Sequence, residues 1–152
     1  MLSRVASQLY WFSRYLRRAE NTARLVGVGS LLQLDLPRSV RFTWRPMIAT
    51  VGAEELFLGV HPEPDEADVL DFLLHDNEFP RSVQFCLGRL HRILPALPPR
   101  PPVDRALNRV TGLVRQADPA LLAAGDPAGF MDEAQVLLGR LHEAIAEGYF
   151  AG

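Results

Sequence analysis

Lysine is absent: all 16 basic residues of this 152-residue chain are arginine. The chain therefore brings no Schiff-base lysine and no P-loop lysine of its own. A single cysteine, Cys86, excludes an intramolecular disulfide. Its apolar neighbours Val83, Phe85 and Leu87 make a buried, inert thiol the expectation. Apolar runs such as 56–60 and 69–74 are far shorter than the roughly 20 residues of a membrane span. The first 24 residues carry five arginines and no continuous apolar stretch before a small-residue cleavage site, so they read as a structural helix. A cytoplasmic location is the resulting expectation. There is no GxSxG, no glycine-rich phosphate loop and no HxxxH or CxxC spacing. No metal site or cofactor is expected from His61, His75, His91 and His142, which fall on separate segments at the surface or at helix ends.

What is present is an apolar load of 48% and a net charge of −2. Those values suit one globular domain over 1–152 and argue against nucleic acid, whose binders usually show a basic face. Apolar residues at 2, 5, 9, 12, 16, 19, 23 and 26 recur every three or four positions, the period of one long amphipathic helix. Ser3 is a candidate N-cap, and Gly27 or Gly29 a candidate stop. Residues 31–41 read as a connection and 44–58 as a helix starting near Pro46, weakened by Gly52. Asp65 caps a short helix to about His75. Pro80 suits the first turn of the next helix, which runs to Leu94. The segment 95–102 (PALPPRPP) reads as a stiff extended connector. Two further helices cover 103–116 and 126 to about 149. Without any period-two alternation, the fold class is all-α, a bundle of five or six helices.

The first helix is the richest in candidate chemistry. Ser13, Arg17, Glu20 and Arg24 step by four, three and four, which lines them along one face. Glu20 between two arginines is an ion-pair clamp at the margin of the apolar stripe. If it lies buried among arginines, its removal costs several kcal/mol. Arg14 and Arg18 join Tyr10, Trp11 and Tyr15 on a second, arginine and aromatic face. Arg81 and Ser82 stand at a helix start, where free N–H groups favour a carboxylate or phosphate. A pairing of Arg81 with Asp76, or with Glu20 across the bundle, is the structural alternative. The acidic residues between Asp65 and Glu78 lack the glycine and spacing of a calcium loop and read as a solvated face.

MLSRVASQLYWFSRYLRRAENTARLV at 1–26 and FLLHDNEFPRSVQFCL at 72–87 resemble the alpha-E domain, a bacterial helical domain with a Glu-Arg motif. The resemblance covers most of 1–94 and extends loosely to the terminal helices. It implies a half-length member, since the usual domain looks like two related halves and this chain has one set of motifs. Where the family pattern reads Glu-Arg-Ala-Glu, this chain reads Arg17-Arg18-Ala19-Glu20, while Arg18, Glu20, Asn21 and Arg24 remain. The resemblance further implies a neighbourhood of circularly permuted ATP-grasp ligases and transglutaminase-like peptidases. The expected role is an accessory subunit without catalysis of its own, paired with an ATP-grasp ligase or a second alpha-E half as a homo- or hetero-oligomer. The rival readings are a catalytic half-subunit acting on an amide or acyl-phosphate intermediate, or a homodimeric anion-binding helical protein. The candidate interaction or ligand residues are Arg14, Arg18, Glu20, Asn21, Arg24, Arg81 and Ser82.

Overall fold

The computed structural model describes residues 2–34 and 44–150. Among these, all regular structure is helical, in the order α1 (Leu2–Leu34), α2 (Trp44–Thr50), α3 (Glu54–Val60), α4 (Glu66–His75), α5 (Val83–Ile93), α6 (Pro101–Gln116), α7 (Pro119–Ala124) and α8 (Pro127–Ile145). A 3-10 turn (Leu94–Ala96) follows α5 and a π-helical turn (Ala146–Phe150) follows α8. The all-α expectation holds, but the described residues contain eight α-helices, where five or six were expected.

The extra helices have local causes. Gly52 adopts φ +68°, a left-handed conformation that costs other L-residues roughly 1 kcal/mol. It breaks the expected 44–58 helix into α2 and α3. The Asp118 side chain accepts from the N–H groups of Ala120 and Leu121 and so starts α7, a short helix the apolar pattern did not reveal. Asp65 caps α4 as expected, in a reciprocal capping box with Asp68.

Other boundaries move. α1 begins at Leu2, so Ser3 lies inside the helix, and it continues through Gly27 and Gly29 to Leu34. Those glycines serve packing instead of ending the helix: a Cβ at Gly27 would stand 3.4 Å from Met131 Cβ and 3.1 Å from Gln135 Nε2 of α8. The expected connection at 31–41 is thus helical to Leu34, and its remainder lies outside the described residues. Pro80 sits before α5 because Ser82 takes the N-cap. In the proline segment only 97–100 remains outside regular structure, since Pro95 is in the 3-10 turn and Pro101 and Pro102 open α6, where a missing N–H costs nothing.

Four helices make the bundle. α1 packs between α5 and α8, and α6 closes the ring against the same two. α1 contributes Phe12, Leu16, Ala19, Ala23 and Val26; α5 contributes Val83, Cys86, Leu87 and Leu90, all buried. Val103, Leu107, Val110 and Val114 of α6 face Met131, Ala134, Leu138 and Leu141 of α8 across the same core. The alanines on α1 and α8 let those axes approach closely, since interhelical distance follows side-chain size. α4 is covered on several sides by α1, α5, α6 and α7, which explains why Val69, Leu70, Phe72, Leu73 and Leu74 are all buried.

Histidines fasten this frame together more than they decorate its surface. His75 at the end of α4 places Nδ1 3.0 Å from Asp71 Oδ1 and Nε2 2.7 Å from the Val114 carbonyl of α6. His91 Nε2 lies 2.8 Å from Thr111 Oγ1, joining α5 to α6. The acidic segment is likewise engaged: Asp68 pairs with His61 at 3.3 Å, and Asp76 Oδ1 accepts the N–H groups of Glu78 and Phe79. At the other end the Tyr149 hydroxyl donates to the Pro98 carbonyl and Arg100 Nε to the Gly148 carbonyl, which ties the proline segment to the π turn.

Candidate functional site

At about 100° per residue, Arg14, Arg18, Asn21 and Leu25 of α1 fall on one stripe, flanked by Arg17 on one side and Thr22 on the other. This stripe forms one wall of a cleft of about 450 Å³. The opposite side is supplied by Arg81, from the turn before α5, and by Thr50 and Val51, from the end of α2. Four guanidinium-bearing residues therefore line one cleft, and among the described residues no carboxylate lines it.

Two local devices hold Arg81 in place. The buried Thr22 hydroxyl of α1 donates to the Arg81 carbonyl at 2.7 Å, which anchors the turn to the long helix 59 residues away in sequence. Ser82 is fully buried; its hydroxyl donates to the Asp76 carbonyl at 2.6 Å and accepts the Phe85 N–H at 3.1 Å. The first bond closes the 76–82 turn and the second caps α5. Ser82 is thus engaged in positioning the turn and the helix and does not line the cleft that Arg81 lines.

The arginines themselves are not neutralised by any carboxylate of the described residues. Carboxylates pair with His61, His75 and His142, while among the described residues Arg14, Arg17, Arg18 and Arg81 take part in no such ion pair. Arg14 stands 5.8 Å from the Tyr10 ring centroid and Arg18 5.2 Å from that of Tyr15, contacts that orient a guanidinium without neutralising it. The Arg18 and Arg81 charges both act to lower the pKa of the buried Cys86 thiol. Burial outweighs that pull and pushes the Cys86 thiol up to about 12. The group therefore stays protonated at neutral pH, as expected for an inert core cysteine. Native protein is expected to resist a thiol-reactive disulfide reagent, with full labelling appearing only in denaturant.

Glu20 and Arg24 are not part of this cleft. The Glu20 carboxylate Oε1 lies 3.2 Å from His142 Nδ1 of α8, so the expected pairing of Glu20 with Arg81 across the bundle is not made. The reason is angular: Glu20 lies more than 90° around α1 from Arg18 and Asn21, toward α8 instead of the Arg81 turn. The Asp76 alternative is not made either: Asp76 Oδ1 accepts the turn N–H groups of Glu78 and Phe79. The expected Arg17–Glu20–Arg24 clamp is replaced by the histidine contact, and Arg24 is exposed. Because the His142 side chain is 56% exposed and Glu20 25% exposed, Glu20→Ala is expected to lower stability by no more than about 1 kcal/mol. A urea titration checks this, and it replaces the several-kcal/mol loss that a buried arginine cage would have required.

A family model described as a predicted alpha-helical domain with a conserved ER motif matches residues 1–68 and 60–150, so that together the matches reach nearly every residue. The chain belongs to the Alpha-E family. No curated protein and no solved structure matches it. Two overlapping matched segments on a chain of this size agree with the half-length reading drawn from its single set of motifs.

This Alpha-E chain contains no Glu-Arg dipeptide anywhere. At the place where the resemblance aligns that motif it reads Arg17-Arg18, and both residues line the cleft. The arginine at 17 thus contributes a fourth guanidinium to the cleft where the family pattern has a carboxylate. From the sequence Arg17 was expected in the Glu20 clamp and stood out as a departure from the family pattern, not as a member of this cleft, and Thr22, Leu25, Thr50 and Val51 were not found. Thr22 and Leu25 carried a signal in their helical spacing from Arg14 and Arg18; Thr50 and Val51 carried none, since only the packing of α2 on α1 brings them there.

Among the described residues no group of three or more histidine, cysteine, aspartate or glutamate side chains is arranged to hold a metal ion. No described helix is long and apolar enough to cross a membrane. A second, smaller cleft of about 350 Å³ between α5 and α6 is lined by Arg89, Arg92, Arg115 and His91. Burial and the nearby Arg115 charge lower the His91 pKa from its ordinary value.

Proposed function

We propose that this Alpha-E domain is an accessory interaction subunit of a bacterial, cytoplasmic ATP-grasp-type peptide or amide ligase system. It works without catalysis of its own, holding an anionic group of substrate or partner in the arginine cleft. The supporting observation is the cleft itself. Arg14, Arg17, Arg18 and Arg81 converge from two separate chain segments on a space that no carboxylate of the described residues lines. Guanidinium groups are the side chains best matched to bidentate recognition of carboxylate and phosphate. The residues around them, Asn21, Thr50, Leu25 and Val51, supply hydrogen-bonding and apolar contact, which suits holding a group more than transforming it.

The partner is an ATP-grasp ligase or a second Alpha-E half, on the strength of the resemblance and of the single motif set. The rival in which Glu20 and Arg24 act on an amide or acyl phosphate draws no support from a carboxylate turned away to His142. Affinity capture of the tagged full chain from its native host, with native mass measured on the same eluate, tests the proposal. Recovery of an ATP-grasp ligase or an Alpha-E half, reduced in the Arg18→Ala/Arg81→Ala double variant, is the expected result. A monomer that recovers neither partner, or an isolated chain that turns over ATP with amino acids, overturns it.

A further inference from the structure

We infer that the arginine cleft is a phosphate site, taking a small organic molecule by a terminal phosphate dianion. This deepens the reading that the cleft holds an anionic group and rests on it. Three observations carry the choice of phosphate. The first is charge: four guanidinium-bearing residues line one space, with no acidic residue lining it and no ion pair to any of them among the described residues. A single carboxylate leaves most of their mutual repulsion in place, whereas a phosphate monoester brings about −1.5 to −2 at pH 7.

The second is direction. Arg14, Arg17 and Arg18 come from α1 while Arg81 comes from the turn before α5, held there through its own carbonyl by Thr22. A carboxylate offers two oxygens in one plane, which a single guanidinium fork satisfies. A tetrahedral phosphate offers three acceptor oxygens in different directions and so serves donors arriving from two walls. The third is size and lining. The cleft of about 450 Å³ exceeds what a phosphate occupies, and its remaining wall includes Leu25 and Val51, so the ligand carries an organic part against them.

Calorimetric titration of the full chain with phenyl phosphate, benzoate and succinate tests this. The first two share one ring and differ in the anion, and the third supplies two charges as carboxylates. Phenyl phosphate is expected to bind at least about tenfold more tightly than either. Its affinity is expected to fall at least about tenfold in Arg18→Ala and in Arg81→Ala, which keeps the backbone carbonyl that Thr22 needs. Arg17→Glu, which places a carboxylate in the cleft, is expected to abolish binding, and Arg92→Ala in the second cleft to leave it unchanged. Affinity is also expected to weaken as pH falls below about 6, where the phosphate takes up its second proton.

Benzoate or succinate binding as tightly as phenyl phosphate overturns the phosphate assignment and leaves the anion-holding reading standing. Loss in Arg92→Ala with retention in Arg18→Ala overturns the location. No binding of any of the three to natively folded protein, verified by circular dichroism, overturns both the assignment and the anion-holding reading.

Discussion

Phe72→Ala is expected to lower the unfolding free energy by about 3–5 kcal/mol. Phe72 is 1% exposed and lies in α4 between two other rings, edge-on to Phe57 of α3 at 5.1 Å and stacked on Phe79 at 4.8 Å between centroids. Truncation removes the transfer energy of the ring and leaves a void that three elements cannot jointly close. Aromatic contacts of this kind add about 0.5–1.5 kcal/mol to simple burial. For a domain whose total stability is about 5–15 kcal/mol, that loss is a large share. It corresponds to a fall of about 10 °C or more in melting temperature. Phe150, 64% exposed in the terminal π turn, provides the contrast, with Phe150→Ala expected to change stability by less than about 0.5 kcal/mol. Urea midpoints of the two variants at unchanged slope check both statements. Because Phe79 precedes the Pro80-Arg81-Ser82 turn directly, the same stack also supports the wall that carries Arg81.

Ser82→Ala is expected to cost about 2 kcal/mol and to weaken ligand binding at the cleft together with stability. The hydroxyl is fully buried and makes two bonds, one closing the 76–82 turn and one capping α5. Loss of an N-cap costs about 0.5–2 kcal/mol. A buried N–H or carbonyl left without a partner adds about 1–3 kcal/mol in full, partly relieved if water enters. Arg81 is adjacent, so loosening the turn lets its guanidinium leave the cleft without changing any cleft side chain. Thermal unfolding and phenyl phosphate titration on one preparation give the expected joint loss. A destabilised protein that binds at wild-type affinity would show that Thr22 alone suffices to hold Arg81.

The contrast between these two residues illustrates what could be read in advance. Phe72 belongs to an apolar run whose burial is a property of its own composition, and α4 was legible from Asp65 to His75. Ser82 was legible as a residue at a helix start, where an oxygen either caps the helix or attends a ligand. Its neighbours in sequence do not distinguish those uses. The choice was made by the Asp76 carbonyl, six residues back, which only a folded turn brings within 2.6 Å.

The candidate site divides in the same way. Arg14, Arg18 and Asn21 share a helical stripe by spacing alone, and Arg81 was identifiable from the Phe-Pro-Arg-Ser-Val turn. Glu20 and Arg24 share a stripe just as clean, yet it leads elsewhere. A helical period states which residues lie together but not which neighbour each stripe meets. His142, 122 positions away, is what Glu20 meets.

By itself, then, the sequence determined the all-helical class, the long first helix, the Asp65 and Asp126 starts, the inert core cysteine and membership of a recognisable family. These follow from composition, local period and short motifs, whose physics acts within a few residues. Only the tertiary structure decided that α1 runs on through its glycines, that Ser82 is a cap, and that four arginines face one space while Glu20 faces another. Those outcomes depend on which helices pack against which faces, a matter of contacts between residues far apart in the chain.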